Sequence, residues 1–108
     1  EIHTYSGNHV EFEQTAIDKY LKDPKLIEYL PNLADRLNGL ETFDLEGTER
    51  TLRDLAEGWG VKAGLLINAS RVALTGKAVA PGIFDVMVVL GKDKAVERLR
   101  RIVKVVPL

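Results

Sequence analysis

The sequence has no cysteine, which excludes disulfide bonds, thiolate metal ligands and thiol nucleophiles. It has only two histidines, His3 and His9, and their spacing in a segment without helical periodicity does not indicate a metal site. No apolar run approaches the ~20 residues that span a bilayer, and no basic segment followed by an apolar one opens the chain. We therefore expect no metal and no membrane partner, and the lack of cysteine fits a cytoplasmic location.

Patterns that bind nucleotides or support acid–base catalysis are also missing. No glycine-rich loop is followed by Lys and then Ser or Thr, the pattern in which main-chain amides and a lysine hold phosphates. Carboxylates are numerous, but their positions predict exposed helix surfaces and no cleft in which a pair could act together. The chain by itself therefore has no predicted catalytic residue and no predicted cofactor.

Charge is distributed unevenly along the chain, although the net charge is only −1. Residues 1–59 contain 6 Lys and Arg against 13 Asp and Glu, whereas residues 60–108 contain 9 against 3. The balance is thus −7 in the first part and +6 in the second. Two interpretations are open: a polyanion partner for the second part, or two solvated surfaces of opposite sign that attract each other.

Hydrophobic spacing predicts helices along most of the chain, because apolar residues recur three and four positions apart. Glycine, proline and aspartate separate the segments, which are residues 16–22, 24–39, 45–59, 63–75, 83–90 and 95–103. No segment alternates apolar and polar residues for long enough to form a sheet. A chain of 108 residues supports one hydrophobic core. We therefore predict an all-α fold, a compact bundle of short helices over residues 14–108, after a poorly ordered lead-in at residues 1–13.

Local signals give specific expectations about these helices. Asp23 can cap the second helix, with Pro24 at the first helical position, where the missing N–H is not needed. Pro31 falls inside the same helix and cannot donate a main-chain hydrogen bond, so we expect a kink or break there. Asp44 lies where the N-cap of the third helix belongs. Trp59 completes the apolar face of that helix, so we expect it in the core rather than on a surface that stacks on bases.

The loop between the fourth and fifth predicted helices is the strongest candidate for ligand binding. Arg71 lies near the end of a helix that Gly76 stops, and Lys77 is in the loop that follows. Pro81 and Gly82 lead into the next helix, and apolar side chains flank the loop. Guanidinium donors, apolar surfaces and scattered cations are the groups that bind unpaired bases. On physical grounds alone Arg71 has an alternative role, which is to complement the dipole at the helix C-terminus.

Four short motifs in this part of the chain occur together in one family. They are Lys-x-Gly from Lys62, Arg-x-Ala-Leu-Thr-Gly from Arg71, Pro-Gly-Ile-Phe from Pro81, and Leu-Gly-Lys from Leu90. Their order and spacing resemble the C-terminal anticodon-binding domain of bacterial glutamyl-tRNA synthetases, which are class I aminoacyl-tRNA synthetases. The similarity covers residues 16–101. The resemblance implies an α-helical cage that holds the anticodon stem-loop of a tRNA.

The resemblance also implies a larger enzyme. Glutamyl-tRNA synthetases use ATP and Mg to attach glutamate to tRNA(Glu), and this chain lacks the His-x-Gly-His and Lys-Met-Ser-Lys motifs of their catalytic half. We therefore expect a catalytic domain outside this chain. The chain begins at Glu1 and not at methionine, so we interpret it as a fragment. The expected partners are tRNA and the catalytic domain of the parent enzyme, in a monomeric cytoplasmic protein.

The resemblance assigns roles to individual positions. By their place in the motifs, the residues that correspond to base-contacting positions of the family are Arg71, Ala80, Pro81 and Ile83. The basic residues that we expect to contact phosphate are Lys62, Lys77, Lys92, Lys94, Arg98 and Arg101. The chain departs from the family pattern at Ala80, where Ser or Thr is common. It also departs at Ala69 and Ser70, where the family often has proline and a larger apolar residue.

Two other classes of function are weighed against anticodon binding. A helix-turn-helix DNA-binding domain needs polar residues at the start of its second helix to read base edges, but Ile83 and Phe84 are apolar. A helical protein-interaction module without a nucleic acid is the third class. Strong salt dependence of RNA binding, together with preference for a stem-loop over duplex DNA, would separate the three.

Overall fold

The computed structural model describes residues 11–78 and 82–106 of the chain. Its helices are α1 Gln14–Tyr20, α2 Leu26–Asn38, α3 Leu45–Trp59, α4 Ala63–Thr75, α5 Ile83–Leu90 and α6 Lys92–Arg101, followed by a short 3-10 helix at Ile102–Lys104. No strand occurs within the described residues. The predicted all-α fold of short helices is confirmed.

Helix α4 lies at the centre of the bundle, because it packs against each of the other five α-helices. Its buried side chains include Leu66, Val72 and Leu74. The apolar face of α2 packs against α6 and completes the core, which is continuous from α1 to the 3-10 helix. The segment that follows α4 therefore begins from the most constrained part of the molecule.

Helix α3 begins and ends at the positions that the sequence predicts. The Asp44 carboxylate accepts a hydrogen bond from the N–H of Gly47 at 2.7 Å, which satisfies one of the free amides of the first turn. Gly47 is close to the loop before α3, since a Cβ there would lie 3.2 Å from the carbonyl oxygen of Thr42. Gly60 ends α3 with a left-handed φ of 70°, a conformation that favours glycine.

Of the kink or break expected at Pro31, the break does not occur, because α2 continues through this residue to Asn38. Proline removes one donor from the helix and leaves the carbonyl of Ile27 without its usual N–H partner. The leucines on both sides of it, Leu30 and Leu33, are fully buried. Burial of this apolar face outweighs the lost hydrogen bond, as tertiary packing commonly overrides local propensity.

Six helix boundaries, the two ends of α1, α2 and α6, differ from the expected ones by about one to three residues. Asp23 is not the N-cap of α2, because the helix begins only at Leu26 with Lys25 at the N-cap position; the Asp23 carboxylate accepts from the N–H of Lys25 at 2.9 Å in the turn that precedes the helix. Helix α1 ends at Tyr20, and α6 ends at Arg101 and continues as the 3-10 helix. Terminal turns commonly tighten in this way.

Trp59 packs against the core, as its position on α3 predicts. Its ring stacks on Tyr29 of α2, with centroids 4.4 Å apart and planes 19° from parallel. The side chain is half-buried and contacts the buried apolar cluster. One face of the indole is therefore occupied by a protein ring, which disfavours a role for Trp59 as a platform for bases.

The predicted lead-in at residues 1–13 falls mostly outside the described residues, which begin at Glu11. Phe12 packs partly buried against the core. The N–H of Glu13 donates to the carbonyl of Gly76 at 2.8 Å. The last two residues of this segment thus contact the rest of the fold.

Replacement of Asp44 by alanine should lower the free energy of unfolding by about 1 kcal/mol, because the first turn of α3 loses its side-chain acceptor. Urea unfolding followed by circular dichroism measures the change. Asp54→Ala, an exposed position in the middle of the same helix, is the matched control and should change stability by less than ~0.5 kcal/mol. Equal stability of the two variants would contradict the capping role.

Candidate nucleic-acid interface

Arg71 is held in a fixed orientation on the surface of α4. Its Nη1 donates to the Oδ1 of Asn68, one turn earlier, at 2.6 Å. The side chain is half-buried, and its Nε is buried and has no hydrogen-bond partner among the described residues. A guanidinium group has five N–H donors in a rigid plane. The contact with Asn68 therefore orients the group and leaves further donors for a bound molecule.

The alternative role of Arg71 at the end of α4 is filled by another arginine. The last four carbonyls of a helix have no partner within it, and a cation there is favourable. The last turn of α4 contains no basic residue. Instead, the Nη1 of Arg98, from α6, donates to the carbonyl of Leu74 at 2.7 Å. The cation that complements the C-terminal end of α4 is therefore Arg98 and not Arg71.

Arg98 itself was expected to contact phosphate, and its contacts favour a different role. The side chain is half-buried between α6 and the end of α4. Burial lowers the pKa of its guanidinium below the ordinary value, because desolvation penalises the charged form. Its hydrogen bond joins α6 to the residues from which the α4–α5 loop begins. Arg98 therefore joins two helices of the bundle, and this contact favours a structural role for it.

Lys92 is also engaged within the protein. Its Nζ donates to the carbonyl of Leu40 at 2.6 Å, which connects the first residue of α6 to the loop between α2 and α3. Arg101 lies on the exposed side of α6, with its Nη1 3.9 Å from Glu97 Oε2. The geometry therefore does not favour a phosphate contact at Lys92, whereas the expected contact at exposed Arg101 stays a prediction.

The other three predicted phosphate contacts have exposed side chains: Lys62, Lys77 and Lys94. Lys62 immediately precedes α4, Lys77 follows it, and Lys94 is in the first turn of α6. These lysines come from elements that pack on one another, since α4 contacts α6. Together with exposed Arg101, they are the positions among the six whose exposure suits binding to a phosphate backbone.

The loop after α4 begins with a tight turn. Gly76 adopts a left-handed φ of 77°, as the predicted helix stop requires, and its N–H donates to the carbonyl of Val72 at 2.7 Å. The hydroxyl of Thr75 donates to the carbonyl of Arg71 at 2.7 Å and accepts from the N–H of Lys77 at 3.1 Å. The Thr75 hydroxyl thus connects the main-chain carbonyl of Arg71 to the main-chain N–H of Lys77.

The remaining predicted base contacts lie at the far side of this loop. Ala80 and Pro81 are outside the described residues. Ile83 is the first residue of α5 and is 2% exposed, so its side chain belongs to the core and only its main chain is available to a base. Phe84, the next residue, packs partly buried against the same cluster.

The sequence interpretation missed two residues that contact this region. Asn68 is three positions before Arg71, and this spacing places both on one face of a helix, so the pair was recognisable from the sequence. Glu13 accepts a hydrogen bond from the N–H of Ala78, 65 residues later, and no local pattern indicates such a contact.

The described residues contain neither a metal-binding cluster nor a membrane-spanning helix. Over residues 11–78 and 82–106, no group of three or more His, Cys, Asp or Glu side chains is placed to hold a metal ion. Within the same ranges, none of the helices has the length and apolar character needed to cross a membrane.

Comparisons with known proteins agree on one family. Residues 1–103 match the family described as anticodon binding domain. Glutamate–tRNA ligase 2 of Koribacter versatilis is 56% identical over 86 residues, which are 80% of this chain and 18% of that protein. Glutamate–tRNA ligase of Desulfotalea psychrophila is 39% identical over 97 residues, 89% of this chain and 20% of that protein. The chain thus spans about a fifth of the length of these relatives.

A solved structure shows the same fold. A glutamate tRNA ligase from Elizabethkingia meningosepticum, crystallised in complex with its amino acid, superposes with a TM-score of 0.84 at 23% identity. The match covers 92% of this chain and 20% of that one. The arrangement of short helices described above therefore recurs within a longer ligase.

The role of Arg98 within the fold has a measurable consequence. Arg98→Met keeps an apolar stem but leaves the Leu74 carbonyl without its donor, so the free energy of unfolding should fall by about 1–3 kcal/mol. Lys94→Met, at an exposed position of the same helix, is the control and should change it by less than ~0.5 kcal/mol. Chemical denaturation measures both. A loss no larger for Arg98→Met than for the control would show that the Leu74 contact does not matter for stability.

Proposed function

This chain belongs to the anticodon-binding domain family of glutamate–tRNA ligases, and we propose that it recognises the anticodon stem-loop of tRNA(Glu). In this proposal a catalytic domain elsewhere in the ligase attaches glutamate, and ATP and Mg act there. The present chain contributes binding energy at a site remote from the reaction, which positions the acceptor end and so supports turnover. We infer a monomeric cytoplasmic enzyme, as the lack of cysteine is compatible with that compartment.

The observation that carries this proposal is the orientation of Arg71 by Asn68. A planar group that is held in place and keeps free donors is suited to paired hydrogen bonds with the edge of a base. The helix-end role that would compete for Arg71 belongs to Arg98. Exposed Lys77, one residue after Gly76, adds a cation to the turn that follows α4.

The structure does not favour the helix-turn-helix alternative. Such a domain presents the first residues of its second helix to base edges in the major groove. Helix α5 begins with Ile83, which is 2% exposed, and Met87 one turn later is fully buried. The start of this helix therefore faces the core. A protein-interaction module has little support either. The exposed large apolar residues among those described are Leu45, Val88 and Val89, and a few exposed apolar side chains are normal for a soluble domain.

Arg71→Ala and Arg71→Lys test the proposed base contact. Both variants should weaken binding to a stem-loop with the Glu anticodon by about 1–3 kcal/mol, because neither reproduces the two parallel donors of a guanidinium. Fluorescence anisotropy with this stem-loop, and with one altered at a single anticodon base, measures affinity and preference. The chain covers about a fifth of its relatives, so we expect weak binding by the wild type and titrations must extend well above nanomolar concentrations.

The preference between the two stem-loops decides the role of Arg71. A base reader loses preference in both variants, while thermal unfolding moves little. If preference is unchanged and the melting temperature drops by several degrees, Arg71 is a structural residue and the base assignment is wrong.

Salt dependence tests the phosphate contacts separately. Replacing Lys62, Lys77 or Lys94 by methionine should weaken all RNAs alike and, for each true contact, reduce the slope of log K against log salt by roughly 0.7–0.9. Lys92→Met should leave that slope unchanged, because its ammonium group is bound to the Leu40 carbonyl. If none of the three exposed lysines alters the slope, the basic half of the chain is only a solvated surface.

A further inference from the structure

Glu13 makes two hydrogen bonds with the turn that follows α4, although it precedes α1. Its main-chain N–H donates to the carbonyl of Gly76 at 2.8 Å. Its carboxylate Oε1 accepts from the N–H of Ala78 at 3.4 Å, a contact between residues 65 positions apart. One residue therefore satisfies both an acceptor and a donor of the turn. Together these bonds constrain the direction in which the chain leaves α4.

The side chain of Glu13 serves this turn and not its own helix. Glu13 is the N-cap residue of α1, and its carbonyl accepts from the N–H groups of Ala16 and Ile17 at 3.0 and 3.1 Å. N-cap positions favour Ser, Thr, Asp and Asn, whose short side chains reach the first free amides of a helix. Glu13 makes no such side-chain bond. Its carboxylate contributes to the α4–α5 loop instead.

The constraint lies immediately before the predicted base contacts. Ala78 is two residues before Ala80 and three before Pro81. On the other side, Thr75 connects the turn to Arg71 through its hydroxyl. A loop whose entry is already fixed loses less conformational freedom when it binds, so more of its contact energy remains as affinity.

We propose that Glu13 is a positioning residue for anticodon recognition. It holds the turn from Gly76 to Ala78 in the orientation from which the following residues meet the RNA. This proposal rests on the proposed function, because it assumes that the loop binds an anticodon. The part of Glu13 that matters is its acceptor oxygen and not its charge. Glutamine at this position therefore preserves the hydrogen bond with the N–H of Ala78, and alanine removes it.

The change in charge alone would alter RNA affinity in the opposite direction, so the two causes can be told apart. Loss of a negative charge from a surface that binds RNA tightens binding by itself. Weaker binding of Glu13→Ala can therefore not come from the change in charge. Glu57→Ala, which removes an equal charge from an exposed position of α3, is the matched control.

The first measurement is amide hydrogen exchange of Ala78 in the free 108-residue chain, followed by NMR. Glu13→Ala should raise the exchange rate of this amide about twofold to threefold, the low end of the range for one hydrogen bond, because a contact of 3.4 Å is long. Glu13→Gln and Glu57→Ala should leave it close to the wild-type rate. An unchanged Ala78 rate in Glu13→Ala would overturn the proposal, whatever the RNA measurements show.

The second measurement is affinity for the stem-loop with the Glu anticodon and for one altered at a single anticodon base. Glu13→Ala should bind the matching stem-loop about twofold to threefold more weakly and show less preference, with an unchanged salt slope. Glu13→Gln should bind at least as well as the wild type. Tighter binding by Glu13→Ala, or binding and preference equal to the wild type, would overturn the positioning role.

These results separate the inference from the function on which it rests. A wild-type chain that does not prefer the matching stem-loop contradicts anticodon recognition, and with it the role of Glu13. A wild type with clear preference, together with a Glu13→Ala variant that binds identically, contradicts the inference alone. Melting temperatures of the variants close to that of the wild type ensure that the comparison is made between folded proteins.

Discussion

The free carbonyl and amide groups at the C-terminal end of α4 are the constraint on which the rest of this domain depends. A helix leaves its last carbonyls unpaired, and here they are buried among other helices. Arg98 from α6 donates to Leu74, and the main chain of Glu13 donates to Gly76. Two distant parts of the chain are therefore recruited to one helix end. The turn at residues 76–78 is therefore held by hydrogen bonds from distant parts of the chain, and a turn that is already ordered loses less conformational freedom on binding.

The basic residues of the second half of the chain fall into two groups. Arg98 and Lys92 donate to carbonyl oxygens and hold elements of the bundle together. Lys77 and other exposed lysines remain available for a polyanion. The positive balance of residues 60–108 thus combines structural and surface charges, and charge counting alone overstates the number of RNA contacts.

Features that depend on neighbouring residues were predictable from the sequence, and those that depend on distant ones were not. The cap at Asp44 and the stop at Gly76 follow from local chemistry and are found as expected. The helix does not break at Pro31, because the burial of α2 against α6 outweighs a lost main-chain bond. The partners of Arg98 and Glu13 come from other elements, and no spacing rule identifies them. Residues 79–81 are outside the described residues, so the predicted base contacts at Ala80 and Pro81 stay predictions.

The central claim is that the loop between α4 and α5 meets the anticodon. Amide-resolved NMR of the chain, titrated with the stem-loop of tRNA(Glu), tests it most directly. The account predicts that the largest shifts fall at residues 75–78 and at Gly82, with the side chain of Arg71, and that a stem-loop with a changed anticodon reduces them. Shifts that fall mainly on the acidic surface of α3, or that are identical for both stem-loops, would contradict it.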